Sequence, residues 1–263
     1  MSLPTDGTAV VTGASSGIGT EIARELSRRG LHVTLVARSA DKLEALAAEL
    51  GDAVAVPCDR ADRDARAALP AAVAAHGRDV TVLVNNAGLS TIGPIASGDV
   101  AAETATVELD VLAVVDLTTR WVGAMVDRGR GAVLNVASTA AFQPLPGQAG
   151  YAASKSFVLS YTQSLAAELR GTGVSATALC PGPVQTGFGE RAGFSDEDAH
   201  DALPDVMWLS AAAVARAAVD GLDRGRPVVI PGLANRVGAR FAHLAPRRVL
   251  LPLLARNHPA MKP

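Results

Sequence analysis

The chain has 263 residues, of which 49% are hydrophobic and 19% are charged, and its formal net charge is −2. This composition supports a large core and excludes extensive disorder, and the weak net charge argues against a general nucleic-acid-binding protein. We expect no membrane span or signal peptide, because the apolar runs are too short for either. Cys58 and Cys180 have neither metal-ligand spacing nor a disulfide framework, so we expect a reduced, cytoplasmic protein without a metal site.

Short β-rich runs alternate with alanine-rich helical patterns along the whole chain. This alternation predicts βα units and an α/β fold with a doubly wound parallel sheet covered by helices on both faces. We predict strands at 8–12, 32–37, 53–57, 81–85, 132–137, 174–180 and 227–230. We predict helices at 17–29, 40–49, 62–75, 99–127, 149–170 and 211–223, the last with Ser210 as its N-cap. No linker or repeat interrupts the pattern, so residues 1–263 are predicted to form one domain.

The first βα unit contains a glycine-rich turn. After the strand at 8–12 the chain reads Gly13-Ala14-Ser15-Ser16-Gly17-Ile18-Gly19 and enters a helix. Glycines permit the tight turn and let backbone N–H groups approach a pyrophosphate at the helix N-terminus. The cluster alone is compatible with an ordinary loop, but its place between the first strand and the first helix indicates a dinucleotide site.

The second strand is followed by Arg38 and Ser39. A site for NAD usually presents an acidic residue here to the ribose 2′-hydroxyl, whereas a guanidinium suits a 2′-phosphate. We therefore predict NADP(H), with NAD(H) as the weaker alternative. A solvated arginine at a strand end remains compatible with this residue taken alone.

Polar residues also follow the third and fourth strands. Asp59 follows the third strand, and Asn85-Asn86-Ala87-Gly88 follows or ends the fourth. Open α/β sheets bind ligands at these carboxyl ends, which makes both segments candidates for the nucleotide site. Both are also compatible with ordinary turns, because Asp, Asn and Gly are turn residues.

Tyr151 and Lys155 are the candidate catalytic pair, with Ser138 at the end of the preceding strand. Four residues are about one helical turn, so the phenol and the ammonium project from one helix face. A nearby cation favours the phenolate, and we expect Lys155 to lower the pKa of Tyr151 for proton transfer near neutral pH. The alternative is a surface helix, which is disfavoured because the chain has only two tyrosines and three lysines.

In these features the chain resembles the short-chain dehydrogenase/reductase family over residues 7–232. The resemblance rests on the ordered series Thr12-Gly13-Ala14-Ser15-Ser16-Gly17-Ile18-Gly19, Asn85-Asn86-Ala87-Gly88, Ser138, Tyr151-Ala152-Ala153-Ser154-Lys155, and Pro181-Gly182 with Thr186. It implies a Rossmann-type sheet of strand order 3-2-1-4-5-6-7 and hydride transfer to or from a carbonyl or alcohol. That order would place Cys58 and Cys180 roughly 24 Å apart, beyond the reach of a disulfide.

The resemblance also implies roles for single residues. Tyr151 would act as the acid/base, Ser138 would hydrogen-bond the same carbonyl oxygen, and Lys155 would hold the nicotinamide ribose. Asp59 would contact adenine, and Asn86, Ala87 and Gly88 would pack on the adenosine side. Pro181, Gly182 and Thr186 would lie at the nicotinamide, with Thr186 on its carboxamide. A homodimer or homotetramer through the fourth and fifth helices is implied as well.

One position departs from the family. Asp110 stands where many members have a catalytic asparagine that helps hold a water linking the lysine to solvent. We hypothesise that Asp110 supports this proton relay through its backbone carbonyl or carboxylate. The competing interpretation is a damaged relay and a slow enzyme.

The segment between Pro181 and Ser210 resembles a variable substrate lid. Phe188, Phe194, Met207 and Trp208 supply apolar surface there, so we expect a partly apolar substrate. Met207 and Trp208 are equally compatible with anchoring the following helix. Leu145 and Gln148 are expected to flank the substrate carbonyl.

The tail at 233–263 has six basic and no acidic residues, so the remaining 232 residues carry −8. Apolar residues are interleaved with the basic ones, and Pro246 and Pro252 are expected to break the tail into short helices. We favour docking on protein, either a partner subunit or the acidic residues Asp196, Glu197, Asp198 and Asp201. Peripheral contact with an anionic membrane is the second interpretation.

The sequence therefore favours an NADP-dependent oxidoreductase acting on a small carbonyl or alcohol. The alternatives are a non-catalytic NADP-binding regulatory protein and a membrane-surface protein. Intact Ser138, Tyr151 and Lys155 argue against the first alternative, and Asp110 is the feature in its favour.

Overall fold

The structure, a computed structural model, describes residues 3–189, 203–257 and 261. It contains a seven-stranded parallel sheet with strand order β3-β2-β1-β4-β5-β6-β7, as predicted. The strands are β1 Thr8–Thr12, β2 His32–Ala37, β3 Ala53–Pro57, β4 Val80–Asn85, β5 Gly131–Val136, β6 Val174–Leu179 and β7 Val228–Val229. The first three match their predicted bounds, and the others differ by one residue at one or both ends.

Helices cover both faces of the sheet. They are α1 Gly17–Arg28, α2 Ala40–Leu50, α3 Arg63–Ala74, α4 Val100–Val107, α5 Ala113–Asp127, α6 Ala149–Glu168, α7 Ala211–Asp223, α8 Leu233–Leu244 and α9 Arg247–Asn257. One core lies between the sheet and α1, α2 and α7, and includes Ile22 and Leu26. A second lies on the opposite face beneath α3, α5 and α6, and includes Leu117 and Met125. The strands are apolar on both sides because each face of the sheet is covered by helices and contributes to a core.

The predicted continuous helix at 99–127 is wrong in one respect. A π-helical turn, Glu108–Leu112, separates α4 from α5. Arg66 holds this turn from α3, because its guanidinium lies 2.6 Å from Glu108 and 3.1 Å from Asp116. The turn carries Asp110 into the interior, where the residue is fully buried.

The tail folds as α8 and α9. The chain breaks at Pro246 as predicted, but Pro252 lies inside α9 and does not end it. Asn235 anchors α8 to the body of the protein, because its amide donates to the carbonyls of Met207 and Pro231 at 3.0 and 3.1 Å. The acidic lid residues proposed as a tail partner, together with Phe194 and Lys262, lie outside the described residues.

Two further expectations concern cysteines and membrane spans. Cys58 and Cys180 are free and buried, in agreement with the predicted absence of a bond between them. Burial raises the pKa of both thiols, that of Cys180 to about 12, so both stay protonated near neutral pH. Within the described part of the chain, none of the helices combines the length and apolar character needed to cross a bilayer.

Candidate active site

The glycine turn after β1 has backbone positions that require glycine. Gly13 and Gly17 have φ of 68° and 58°, in the left-handed region that L side chains rarely adopt. A Cβ on Gly19 would lie 2.3 Å from the Gly13 carbonyl oxygen, so the third glycine permits close packing of α1 on the turn. Backbone N–H groups at the start of α1 are therefore exposed to an approaching anion.

Thr12 and Asn86 join this turn to the segment after β4. The Thr12 hydroxyl accepts the backbone N–H of Asn86 at 3.0 Å, and the Asn86 amide donates to the Thr12 carbonyl at 3.0 Å. The Asn86 side chain therefore fixes two loops to each other. Both loops line one cavity at the carboxyl ends of the strands.

That cavity has a volume of about 250 Å³. It brings together most of the predicted cofactor residues: Gly13, Ser15, Ser16, Gly17, Ile18, Arg38, Ser39, Asp59, Asn86, Ala87, Gly88, Tyr151, Lys155, Pro181 and Thr186. Gly19 and Gly182 are not in its lining. Gly182 instead packs against Asn235 of α8, where a Cβ would meet the Asn235 side chain at 2.3 Å.

Arg60 is a cavity residue that the sequence reasoning missed. Its side chain is 7% exposed, and its Nε and Nη1 atoms have no hydrogen-bond partner among the described residues. Burial lowers its pKa to about 10, and the charge of Arg38 adds to that effect. An uncompensated buried guanidinium favours an anion at this end of the cavity. The available signal was an arginine directly after Asp59, at the end of β3.

Tyr151 lines the cavity, whereas Ser138 lies outside its lining, directly after the cavity residues Val136 and Ala137. Ser138 begins the 3-10 turn Thr139–Phe142, and its hydroxyl accepts the Ala140 N–H at 3.1 Å. The Ser138 side chain also lowers the pKa of the Tyr151 phenol, so the two hydroxyl groups are close enough to interact. The Tyr151 ring lies 6.0 Å from the Phe188 ring, centroid to centroid, so Phe188 adds apolar surface beside the phenol.

Lys155 lies one turn along α6 from Tyr151. Its ammonium donates to the Val136 carbonyl at 3.2 Å and lies 5.6 Å from the Tyr151 ring centroid. The Asp110 carboxylate is 3.0 Å away, and Asp110 also accepts the Leu89 N–H at 2.8 Å. The sequence analysis linked Asp110 to Lys155 through a proton relay, and the structure shows that the two side chains form a direct ion pair.

The pKa of Tyr151 corrects one expectation. Burial raises the pKa of this phenol, and the nearby Asp110 carboxylate raises it further. Lys155 lowers it, as expected, and the Ser138 side chain lowers it as well, but together they do not overcome burial. Burial alone would lower the pKa of Lys155, yet Asp110 and Tyr151 together raise it. Both groups therefore carry their protons at neutral pH, and Tyr151 is a proton donor in this state.

A buried polar chain fixes the helices that carry these residues. Asn85 donates to Thr118 of α5 at 3.1 Å and to Asn135 at 2.9 Å, and Asn135 donates to Thr162 of α6 at 3.0 Å. These bonds join β4 and β5 to both helices, which positions Asp110 and Lys155 relative to the sheet edge.

Four residues predicted to lie near the substrate or the nicotinamide, Leu145, Gln148, Thr186 and Met207, are among the described residues. Gln148 donates through its amide to the Ser90 hydroxyl at 2.9 Å, and neither Gln148 nor Leu145 is among the cavity residues. The Met207 methyl lies beside Gly238 of α8, whereas the anchoring interpretation from the sequence concerned α7, the helix that follows Met207. Thr186 packs against Gly17 at the cavity wall.

Comparison with known proteins identifies a family whose members resemble this chain in sequence. The family model for short chain dehydrogenase matches residues 7–196. A short chain dehydrogenase from Pseudocercospora fijiensis is 37% identical over 188 residues, which cover 69% of this chain and 61% of that relative. The chain therefore spans less than two thirds of that relative's length.

Two further comparisons cover more of the related protein. A putative ketoacyl reductase from Streptomyces coelicolor is 41% identical over 187 residues, or 68% of this chain and 70% of the relative. The solved structure of a short-chain dehydrogenase from Sphingobium yanoikuyae, in complex with NADPH, has 32% identity and a TM-score of 0.80. That alignment covers 94% of this chain and 95% of that protein.

Proposed function

The chain belongs to the short-chain dehydrogenase family of oxidoreductases, and on that premise we propose that it transfers hydride between NADP(H) and a carbonyl or secondary alcohol. The observation that carries this proposal is one cavity with Tyr151 and Lys155 at one end and the glycine turn and Arg38 at the other. A nicotinamide cofactor supplies the hydride when bound. The side chains of this protein then bind the cofactor, orient the substrate and protonate the substrate oxygen.

In the reduction direction, Tyr151 donates its phenolic proton to the substrate oxygen as that oxygen gains charge. The Ser138 side chain lowers the pKa of Tyr151, which supports a shared role: a carbonyl oxygen placed between the two hydroxyls would accept a hydrogen bond from each. Lys155 stabilises the phenolate that remains, because its ammonium stays protonated beside Asp110. In the oxidation direction the same groups act in reverse.

Arg38 and Arg60 support NADP(H) over NAD(H). Arg38 is exposed at the cavity rim, and Arg60 is buried in the cavity wall with two nitrogen atoms unpartnered among the described residues. Two guanidinium groups at the adenosine end favour a ligand with an additional phosphate. The NADPH bound by the Sphingobium relative is consistent with this choice.

Asp110 is proposed as the partner of Lys155 in proton transfer. Its carboxylate contacts the ammonium directly, whereas the resemblance implied a water-linked contact through asparagine. The carboxylate keeps Lys155 charged and holds it in position. Burial raises the pKa of Asp110, and this effect exceeds the opposite effect of the Lys155 charge. Asp110 touches the reacting machinery only through Lys155, so we class it as a positioning residue.

The substrate is proposed to have an apolar portion that lies against Phe188. The ring of Phe188 faces Tyr151, and the likeness to a ketoacyl reductase makes β-ketoacyl thioesters the first class to test. Steroid, sugar and xenobiotic ketones are the further classes of carbonyl compound to test.

We also propose a cytoplasmic homodimer or homotetramer. Val107, Leu112 and Phe157 are each about two fifths exposed on α4, the π-helical turn and α6, and Phe157 stacks on Tyr161 at 5.8 Å. These side chains offer apolar surface on the helices through which family members associate.

A carbonyl panel read by NADPH and NADH absorbance tests the function, with Tyr151→Phe as the blank. We expect oxidation of NADPH by the wild type with at least one carbonyl, slower oxidation of NADH, and oxidation of NADPH by the variant that is slower by about a hundredfold or more. NADPH binding without oxidation across the whole panel would instead favour the non-catalytic regulatory alternative.

A further inference from the structure

Helix α8 presents two opposite faces with different side chains. Its inner face consists of small or polar residues, and Asn235, Ala239 and Ala242 are buried against the body of the protein. Its outer face carries Leu233, Val237, Phe241 and Leu244, which are 73%, 60%, 68% and 79% exposed. Spacings of four, four and three residues place these side chains in one stripe along the helix. The large apolar residues thus face outward, although the helix is already anchored through its small ones.

Basic residues accompany this stripe. Arg236 and Arg240 are exposed on the same outer side of α8, and Arg247 and Arg248 are exposed at the start of α9. The tail contains no Asp or Glu from residue 233 to residue 263. The outer face therefore combines apolar surface with positive charge and has no acidic side chain of its own to neutralise it.

We propose that the outer face of α8 docks in the plane of an anionic lipid surface. Large apolar side chains enter the boundary between headgroups and acyl chains, while arginines beside them reach lipid phosphates. A second copy fits this face less well, because two-fold pairing would bring arginines against arginines without an acid to separate them. Positive charge and exposed Phe and Leu are together the features that an anionic bilayer recognises.

Helix α8 packs against the turn that follows Ser138. His243 of α8 contacts Phe142 edge to face at 6.3 Å, and Arg247 donates to the Phe142 carbonyl at 3.3 Å. Phe142 ends the turn that begins after Ser138. A bound bilayer would therefore lie beside the loop that precedes the catalytic tyrosine.

Vesicle flotation of the full-length protein tests the proposal. Vesicles of phosphatidylcholine with phosphatidylglycerol are compared with vesicles of phosphatidylcholine alone, at low and high salt. Two tail variants are needed: Phe241→Ser with Leu244→Ser, and Arg236→Gln with Arg240→Gln. The matched control is Val100→Ser with Arg216→Gln, which removes an exposed valine and an exposed arginine from α4 and α7.

We expect the wild type and the control to float with anionic vesicles only, and less at high salt. Each tail variant should lower the partition coefficient about tenfold or more, because each loses two membrane contacts. Absence of flotation, or equal loss in the control, would overturn the proposal. So would unchanged flotation of the tail variants with a change in their mass by sedimentation equilibrium, since a second copy would then cover α8. Flotation does not depend on turnover, so it remains informative if no substrate is found.

Discussion

The Asp110 carboxylate and the Lys155 ammonium form an ion pair of 3.0 Å in the interior of the protein, with side chains 0% and 5% exposed. The Lys155 ammonium lies 5.6 Å from the centre of the Tyr151 ring and also donates to the Val136 carbonyl. A negative charge at Asp110 raises the pKa of both Lys155 and Tyr151. The protonation of Tyr151 is therefore linked to a fully buried residue outside the cavity lining.

Replacement of Asp110 by asparagine should shift the pH–rate profile. Without the carboxylate, the pKa of Tyr151 falls, so the phenol loses its proton at lower pH than in the wild type. The alkaline limb of kcat/KM for reduction should accordingly move to lower pH. Asp116→Asn is the matched control, because Asp116 pairs with Arg66 and Arg120 away from the phenol. Identical profiles for wild type and Asp110→Asn would remove Asp110 from the mechanism.

Loss of the carboxylate should also destabilise the fold. Asp110→Leu leaves the Lys155 ammonium buried and unpaired, and we expect a loss of about 3–5 kcal/mol in the free energy of unfolding at neutral pH. Addition of Lys155→Met should restore much of this loss, because no buried charge then remains. Urea unfolding of the two single variants and the double variant completes the cycle. Additive losses would show that the two side chains are not coupled.

Gly88 leaves room for the ion pair. A Cβ at this position would lie 3.1 Å from Lys155 Nζ and 3.2 Å from Asp110 Oδ1. Gly88→Ala should therefore displace the pair and lower kcat, while the protein stays folded. Gly123 in α5 has open space around it, so Gly123→Ala should keep full activity and gain up to about 1 kcal/mol of stability. A fully active Gly88→Ala enzyme would contradict the importance of this contact.

Arg60 and Arg66 are both buried but should respond oppositely to replacement by leucine. Arg66 pairs with Glu108 and Asp116, so Arg66→Leu should cost about 3–5 kcal/mol in stability. The Arg60 guanidinium forms no ion pair within the described residues, so Arg60→Leu should leave the nucleotide-free protein equally or more stable.

Calorimetric measurement of nucleotide binding tests whether Arg60 contacts the 2′-phosphate. Arg60→Leu should weaken binding of 2′,5′-ADP about tenfold or more, through loss of charge-assisted hydrogen bonds, and leave 5′-AMP unchanged. Equal weakening for both nucleotides would place Arg60 away from the 2′-phosphate.

Much of the architecture could be predicted because its signals are local. The strands β1, β2 and β3 are short apolar runs bounded by turn residues, and Ser210 caps α7 through the Ala213 N–H, as expected. The π-helical turn could not be predicted, because the helical pattern continues across residues 108–112 and an extra residue in one turn leaves no signature. The burial of Arg60 and the contact between Asp110 and Lys155 could not be predicted either, because both arise from tertiary packing. They depend on how α3, α5 and α6 pack on the sheet.

The same division applies to the chemistry of the site. Four-residue spacing predicted that Tyr151 and Lys155 share a helix face, and the effect of Lys155 on the Tyr151 pKa has the predicted sign. The net direction was wrong, because burial of the phenol and the charge of Asp110 both oppose Lys155. Neither quantity can be obtained from spacing along the chain.

The steady-state rate of NADPH oxidation by Tyr151→Phe, at NADPH concentrations that saturate both proteins, tests the role of the phenol most directly. The substitution removes the proton donor and leaves the ring and the Asp110–Lys155 pair. We expect kcat to fall about a hundredfold to ten-thousandfold, with NADPH binding by fluorescence unchanged. A Tyr151→Phe protein that binds NADPH normally and keeps a rate within about threefold of wild type, a far smaller loss than general acid catalysis accounts for, would contradict Tyr151 as the proton donor.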